Sequence, residues 1–238
     1  MTRTRLGIAL SLSLIAALVA TLRPGPVRAE EERDEGREEA RFEVTVTNLT
    51  RGQRFTPILV ASHRAGVSLF TLGKPASHEL EQLAEEGDVK PLTAQLSASR
   101  DVLEVINNGK LLDPGQSSSQ IVRTRDGFNH LIVAAMLIPT NDGFFALNGV
   151  RGPRGDETIT LYSPAYDSGT EVNDEKCASI PGPFFKECGG PGGGADVIGG
   201  AEGFVHIHAG IHGIGDLAAS LRDWRNPVAQ ITIRRIKG

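Results

Sequence analysis

Apolar and polar residues alternate with period two in several short stretches, most clearly over residues 41–49, R-F-E-V-T-V-T-N-L. Phe42, Val44, Val46 and Asn48 fall on one face and Glu43, Thr45 and Thr47 on the other, the pattern of a half-buried strand. Residues 57–62, P-I-L-V-A-S, form a short apolar run that predicts a second strand. The period then changes. Leu80, Leu83 and Ala84 sit at i, i+3 and i+4 behind Ser77, a good N-cap, and ahead of Gly87, a good stop, so a short helix is expected there. Residues 91–99 predict a weaker helical turn. From Val102 on, strands return. Val102, Val105 and Ile106 run into Asn108-Gly109, a pair that tolerates the positive φ of a tight turn. Asp113-Pro114-Gly115 marks another turn. Strands are expected over 120–125, 129–138, 144–147, 158–162, 204–208 and 228–236, with a Gly-rich surface loop over 189–203. Residues 129–138, N-H-L-I-V-A-A-M-L-I, are apolar without alternation, which suits a central strand buried on both faces. Many strands, many turns and one helical insert describe an all-β antiparallel sandwich.

The ends and the charge narrow the setting. Arg3 and Arg5 precede an apolar run over residues 6–22, and Val27-Arg28-Ala29 fits a small-x-small cleavage site, so residues 1–29 read as a signal peptide. The run is about 17 residues, short of the roughly 20 that span a bilayer. The expected mature chain is secreted or periplasmic, with no membrane span. Residues 30–40 read as an acidic, solvated linker, and 41–238 as one domain. The chain carries 25 Lys and Arg against 29 Asp and Glu. Losing four Arg with the leader leaves 21 against 29, a net −8, which argues against nucleic acid as a partner and favours cations. Cys177 and Cys188 are the only cysteines, and an oxidising compartment favours pairing them.

The chemistry concentrates between residues 138 and 175. Two apolar runs end in loops, P-T-N-D-G-F-F and Y-D-S-G-T-E-V-N-D-E, rich in Asp, Asn and Glu. Asn141, Asp142, Asp167, Thr170, Glu171, Asn173, Asp174 and Glu175 offer hard oxygens and no soft donors, a set suited to Ca2+ or Mg2+. Asn-Asp-Gly and Asp-Ser-Gly also make ordinary turns, closed by their own side chains.

These stretches resemble the spondin domain, the N-terminal module of F-spondin and mindin, over residues 42–236. The similarity is carried by F-E-V-T-V-T-N-L-T, P-I-L-V-A-S-H, L-F-T-L-G and E-L-E-Q-L-A-E-E-G-D, and above all by P-T-N-D-G-F-F-A-L-N-G and Y-S-P-A-Y-D-S-G-T-E. In the family a Pro-x-x-Asp-aromatic turn precedes a Tyr-Asp-small-Gly-Thr turn; here Gly143 stands between the Asp and the aromatic. The resemblance implies an eight-stranded C2-like sandwich with calcium at one end and a role in adhesion or recognition. It places ligands at Asp142 and Asp167. A third family ligand is a Glu before the first turn; this chain has Arg123 near that position, and Asp126 is the nearest acid to replace it. Glu171 is a further candidate.

A second constellation is F-V-H-I-H-A-G-I-H-G. His206 and His208, at i and i+2, share a strand face, and His212 can return after Gly210, so three imidazoles would make a zinc or copper site, catalytic if a position stays open. The same histidines fit the polar face of a strand whose core face carries Val205 and Ile207. No Gly-x-Ser-x-Gly elbow is present, and the Gly-rich loop lacks a phosphate loop's ending. The expectation is therefore a non-catalytic, calcium-binding module that contacts an extracellular or cell-surface protein or glycan.

Overall fold

The computed structural model describes residues 40–182, 185–190, 192–193 and 200–237. The expected signal peptide lies outside them, as does the acidic linker up to residue 39; Ala40 already belongs to the first strand. The described residues all belong to one compact unit.

In chain order the elements are β1 (Ala40–Asn48), β2 (Arg54–Phe55), β3 (Leu59–His63), α1 (His78–Glu86), α2 (Lys90–Ser97), β4 (Val102–Asn107), β5 (Ser117–Thr124), β6 (His130–Ile138), β7 (Gly143–Arg151), β8 (Thr158–Ser163), β9 (Ala165–Asp167), β10 (His206–Ile207), α3 (Ala219–Arg222) and β11 (Ala229–Lys237). They build two antiparallel sheets, ordered β5-β1-β11-β8 and β10-β9-β7-β6-β3-β4, with β2 pairing β6. Eight of the strands run five residues or more. The other three, β2, β9 and β10, have two or three residues each and extend the larger sheet. The fold is thus the all-β sandwich the pattern predicts. No helix among the described residues is long and apolar enough to cross a membrane.

The alternation of β1 buries Phe42, Val44 and Val46 between the sheets, where they meet Val122, Leu131, Val133, Phe145, Ile231 and Ile233. Its outer face is polar; Thr45 and Thr47 hydrogen-bond Ser119 and Ser117 across the β1–β5 ladder at 2.7 and 2.8 Å. The larger sheet is covered on both sides. Its outer face sends Leu59, Ala61, Ile132, Ala134, Phe144 and Ala146 against Leu80, Leu83, Leu92 and Leu96 of the two helices. That second core is why β6 lacks alternation: every residue after His130 is buried. Ser77 Oγ accepts the Leu80 amide, and Gly87, at φ +66°, ends α1.

The turn at Asn108-Gly109 exists, with Gly109 at φ +60°. It carries the chain from β4 in one sheet to β5 in the other, so it joins sheets rather than closing a hairpin. Cys177 and Cys188 form a disulfide.

Candidate metal centre

The connection from β6 to β7 is short. The Ile138–Pro139 peptide is cis, and Thr140 Oγ1 accepts the Gly143 amide at 3.0 Å, closing a turn that holds Asn141 and Asp142 at one end of the sandwich. Strand pairing sets Gly143 opposite Asp167, and Asp167 opposite His206. Laterally paired residues share a face, so the Asp167 and His206 side chains stand on the same side. Two residues along, that row continues as Phe145 and Ala165, which are buried between the sheets. The site therefore forms where the inner face runs out at the sandwich's end. Gly143 leaves that face clear: a Cβ there would meet Thr140 Oγ1 at 2.8 Å and the His208 ring at 2.9 Å.

Three carboxylates are buried here. Asp142 Oδ2 accepts from Ser168 Oγ at 2.9 Å and from the Thr170 and Glu171 amides at 3.0 and 3.3 Å. Asp167 accepts from the Gly169 amide at 2.8 Å and from Asn173 Nδ2 at 2.7 Å. Asp142 Oδ1 and Glu171 Oε1 are buried with no hydrogen-bond donor among the described residues. Burial pushes all three acids up. For Asp142 the donors on Oδ2 oppose the shift and the charge of Glu202 adds to it. Asp167 rises to about 7 through burial and the charge of Asp142. Glu171 rises to about 8 through burial and the charges of Glu85, Asp142 and Asp174, against a hydrogen bond from Asn141.

The loop after β9 is braced from behind. Asn141 donates to Asp174 and accepts the Glu175 amide at 3.1 Å. The buried Glu175, at φ +54°, accepts the amides of His212, Gly213 and Ile214 on its carboxylate. Asp174 sits low: three donors (the Lys176 amide, Asn141 and Ser179) outweigh the opposing effect of its burial. Asp174 and Glu175 therefore fasten the loop, while Asp142 and Glu171 each keep a buried oxygen without a donor.

Of the acids expected as ligands, Asp142, Asp167 and Glu171 are placed in one corner, where the charge of Asp142 reaches both others, but without a donor atom from each within 4.8 Å of the rest. Asp126 is not. It is exposed in the β5–β6 turn, at the opposite end of β6 from Asp142. Nine strand residues at about 3.3 Å each place it roughly 30 Å away. Arg123, beside it in sequence, pairs instead with Glu104 at 2.8 Å.

The three histidines do not form the expected triad. Strand β10 is only two residues long because glycines with positive φ, Gly203 and Gly210, bend the chain on either side. The His208 ring turns inward onto Trp224, 4.9 Å between centroids, and its Nδ1 accepts the Gly210 amide at 3.0 Å. Burial pushes His208 down to about 4. His212 is exposed, with Nε2 3.3 Å from the Ala209 carbonyl. Of the expected core face, Val205 is buried in the second core on the helical side, whereas Ile207 is exposed. His206 joins the acids, 3.4 Å from Asp167 and 3.7 Å from Glu202.

Ser168, Glu85 and Glu202 were not among the sequence candidates. Ser168 stands inside the D-S-G-T motif and could have been read there. Glu85 comes from a helix and Glu202 from beyond a Gly-rich loop, so neither carries a local signal.

A site of three buried carboxylates, two with an oxygen left without a donor, fits a hard divalent cation. Such an ion takes oxygens and offsets their burial. The family model Spondin_N matches residues 46–171, more than half of the chain, from within β1 through Asp142, Asp167 and Glu171. No curated protein matches the chain.

Proposed function

The chain belongs to the spondin N-terminal family, and on that footing we propose that it is an extracellular recognition or adhesion module whose loop-bearing end is held by calcium. The observation that carries the calcium reading is the pair of buried oxygens without donors, Asp142 Oδ1 and Glu171 Oε1. In a dry site each needs a proton or a cation. Asp142, Asp167 and Glu171 would hold the ion, with carbonyls and water completing six to eight oxygens. Calcium supplies positive charge and needs no reaction to do so. It would tie the β6–β7 turn to the segment after β9, setting the surface loops that a protein or glycan partner meets. We assign the site no catalytic step. The disulfide supports a setting outside the reducing cytoplasm.

Calcium at a hundredfold its Kd is expected to stabilise the folded state by about 2.7 kcal/mol. For a domain of this size that raises Tm by roughly 5–10 °C. Asp142→Ala combined with Asp167→Ala is expected to abolish the rise. A melting curve that is the same in excess chelator and in calcium overturns the reading.

A further inference from the structure

Beyond the calcium reading, the structure assigns a second metal position to Asp167, Glu202 and His206, one that takes a divalent first-row transition ion such as zinc. It rests on the calcium reading only through Asp167, the residue both positions would use.

The His206 ring is oriented by a backbone carbonyl. Its Nδ1 lies 3.0 Å from the Ile207 carbonyl. A carbonyl can only accept, so Nδ1 carries a hydrogen, and in the neutral imidazole Nε2 presents a lone pair. Nε2 is buried and has no hydrogen-bond partner. It faces Asp167 Oδ1 at 3.4 Å and Glu202 Oε2 at 3.7 Å, too long for a hydrogen bond to either. The three residues each offer one donor atom, all within 4.8 Å of one another, the sole such group of His, Cys, Asp or Glu among the described residues. Lone pairs gathered in this way repel unless a proton or a metal cation stands between them.

The spacing identifies the kind of cation. Zinc bonds to nitrogen and oxygen are about 2.0–2.1 Å, so two ligands of a tetrahedral zinc are separated by about 3.4 Å. The Asp167–His206 distance has that value and the Glu202 distance is slightly longer. An imidazole whose other nitrogen donates to a backbone carbonyl is how proteins orient a metal-binding histidine. Calcium takes oxygen ligands, whereas borderline ions accept imidazole together with carboxylate. The Glu202 and His206 side chains are 37% and 26% exposed, so an ion can enter from solvent and keep water in its remaining position.

The local fold explains the gathering. The β9–β10 register sets His206 beside Asp167, and Gly203 at φ +79° turns the chain so that Glu202 comes back to the residue four positions on. Glu202 and His206 lie outside the segment that matches the family model, so this corner belongs to the part of the chain the family likeness does not cover.

Cobalt tests the inference, because it substitutes for zinc and absorbs in the visible. The full chain, stripped with chelator, is titrated with Co2+ and back-titrated with Zn2+, and calcium-dependent melting is measured in parallel. One cobalt per chain is expected, displaced by zinc. His206→Ala and Glu202→Gln should each weaken cobalt binding at least tenfold while keeping the calcium-induced rise in Tm; Asp142→Asn should do the reverse. Absence of a cobalt band at micromolar concentrations overturns the inference, as does unaltered cobalt binding in both variants; either result leaves a proton as what joins His206 to the carboxylates. Loss of the calcium response in His206→Ala also overturns it, by placing all these groups in one site. Cobalt held through His206 in a protein indifferent to calcium supports the inference and removes the calcium reading instead.

Discussion

Gly143 shows how a single residue sets the candidate centre. It follows Asp142, pairs with Asp167, and a Cβ added to it would press on Thr140 Oγ1 and the His208 ring. That ring cannot retreat, because Trp224 packs on it and the Gly210 amide holds its Nδ1. Gly143→Ala is therefore expected to cost about 1–3 kcal/mol, the range for overpacking a closed site. Urea denaturation in chelator would measure it, and wild-type stability would show that the ring yields freely. The sequence showed Gly143 as an insertion between the Asp and the aromatic of a familiar turn. Its purpose was illegible there, because His208 reaches it from 65 residues on through a two-residue strand. Asp142, Asp167 and Glu171 were legible, since each sits in a short motif at a strand end. Asp126 was misplaced by nearness in sequence: both acids border β6, but at opposite ends.

At the scale of elements, legibility followed length. The helix α1 has the full signal, an N-cap serine, an apolar i, i+3, i+4 stripe and a closing glycine, and all three operate in the structure. Ser77→Ala removes the acceptor for the Leu80 amide and is expected to cost about 1 kcal/mol. Because α1 covers the outer face of β6 and β7, that loss should appear in the global unfolding curve. Fraying of the helix alone, seen as local amide exchange at unchanged global stability, would contradict the packing described. Strand β6 was legible for the opposite reason, an apolar run with no alternation, which the helices explain by burying its second face. The pieces β2, β9 and β10 are too short to show any period. They are paired because longer neighbours hold them, and β9 and β10 carry the residues that the sequence could not bring together.

At the scale of the molecule, the burial of several acids in one corner makes stability depend on pH and on metal together. Asp167 and Glu171 have folded values of about 7 and 8 against ordinary values of 3.8 and 4.5, and Asp142 is raised as well. A raised value means that the folded state keeps protons the unfolded chain has released. The resulting stability is complete below about pH 4 and is lost as pH climbs through the folded values. His206 is also raised: the Ile207 carbonyl and the carboxylates of Asp167 and Glu202 outweigh the burial of its ring, so its contribution is lost in the same direction. His63, His130 and His208 are lowered, chiefly by burial, and work the other way: their contribution is present above 6.5 and is lost as pH falls. The two effects oppose each other between about pH 4 and 7.5. Only about a unit above 6.5 are the lowered histidines neutral in both states, which leaves the carboxylates and His206 alone. In chelator, stability should therefore fall above about pH 7.5, by about 1.4 kcal/mol per pH unit for each proton that only the folded state retains. Calcium should flatten the profile, because an ion that replaces the carboxylate protons leaves the folded state fewer to lose. Guanidinium titrations at about pH 7.5, 8.0 and 8.5, each in chelator and in calcium, would read both slopes. A chelated profile that is flat or rises across this window would mean that the buried carboxylates are already ionised without metal, and the pairing of charge with cation drawn here would fail with it.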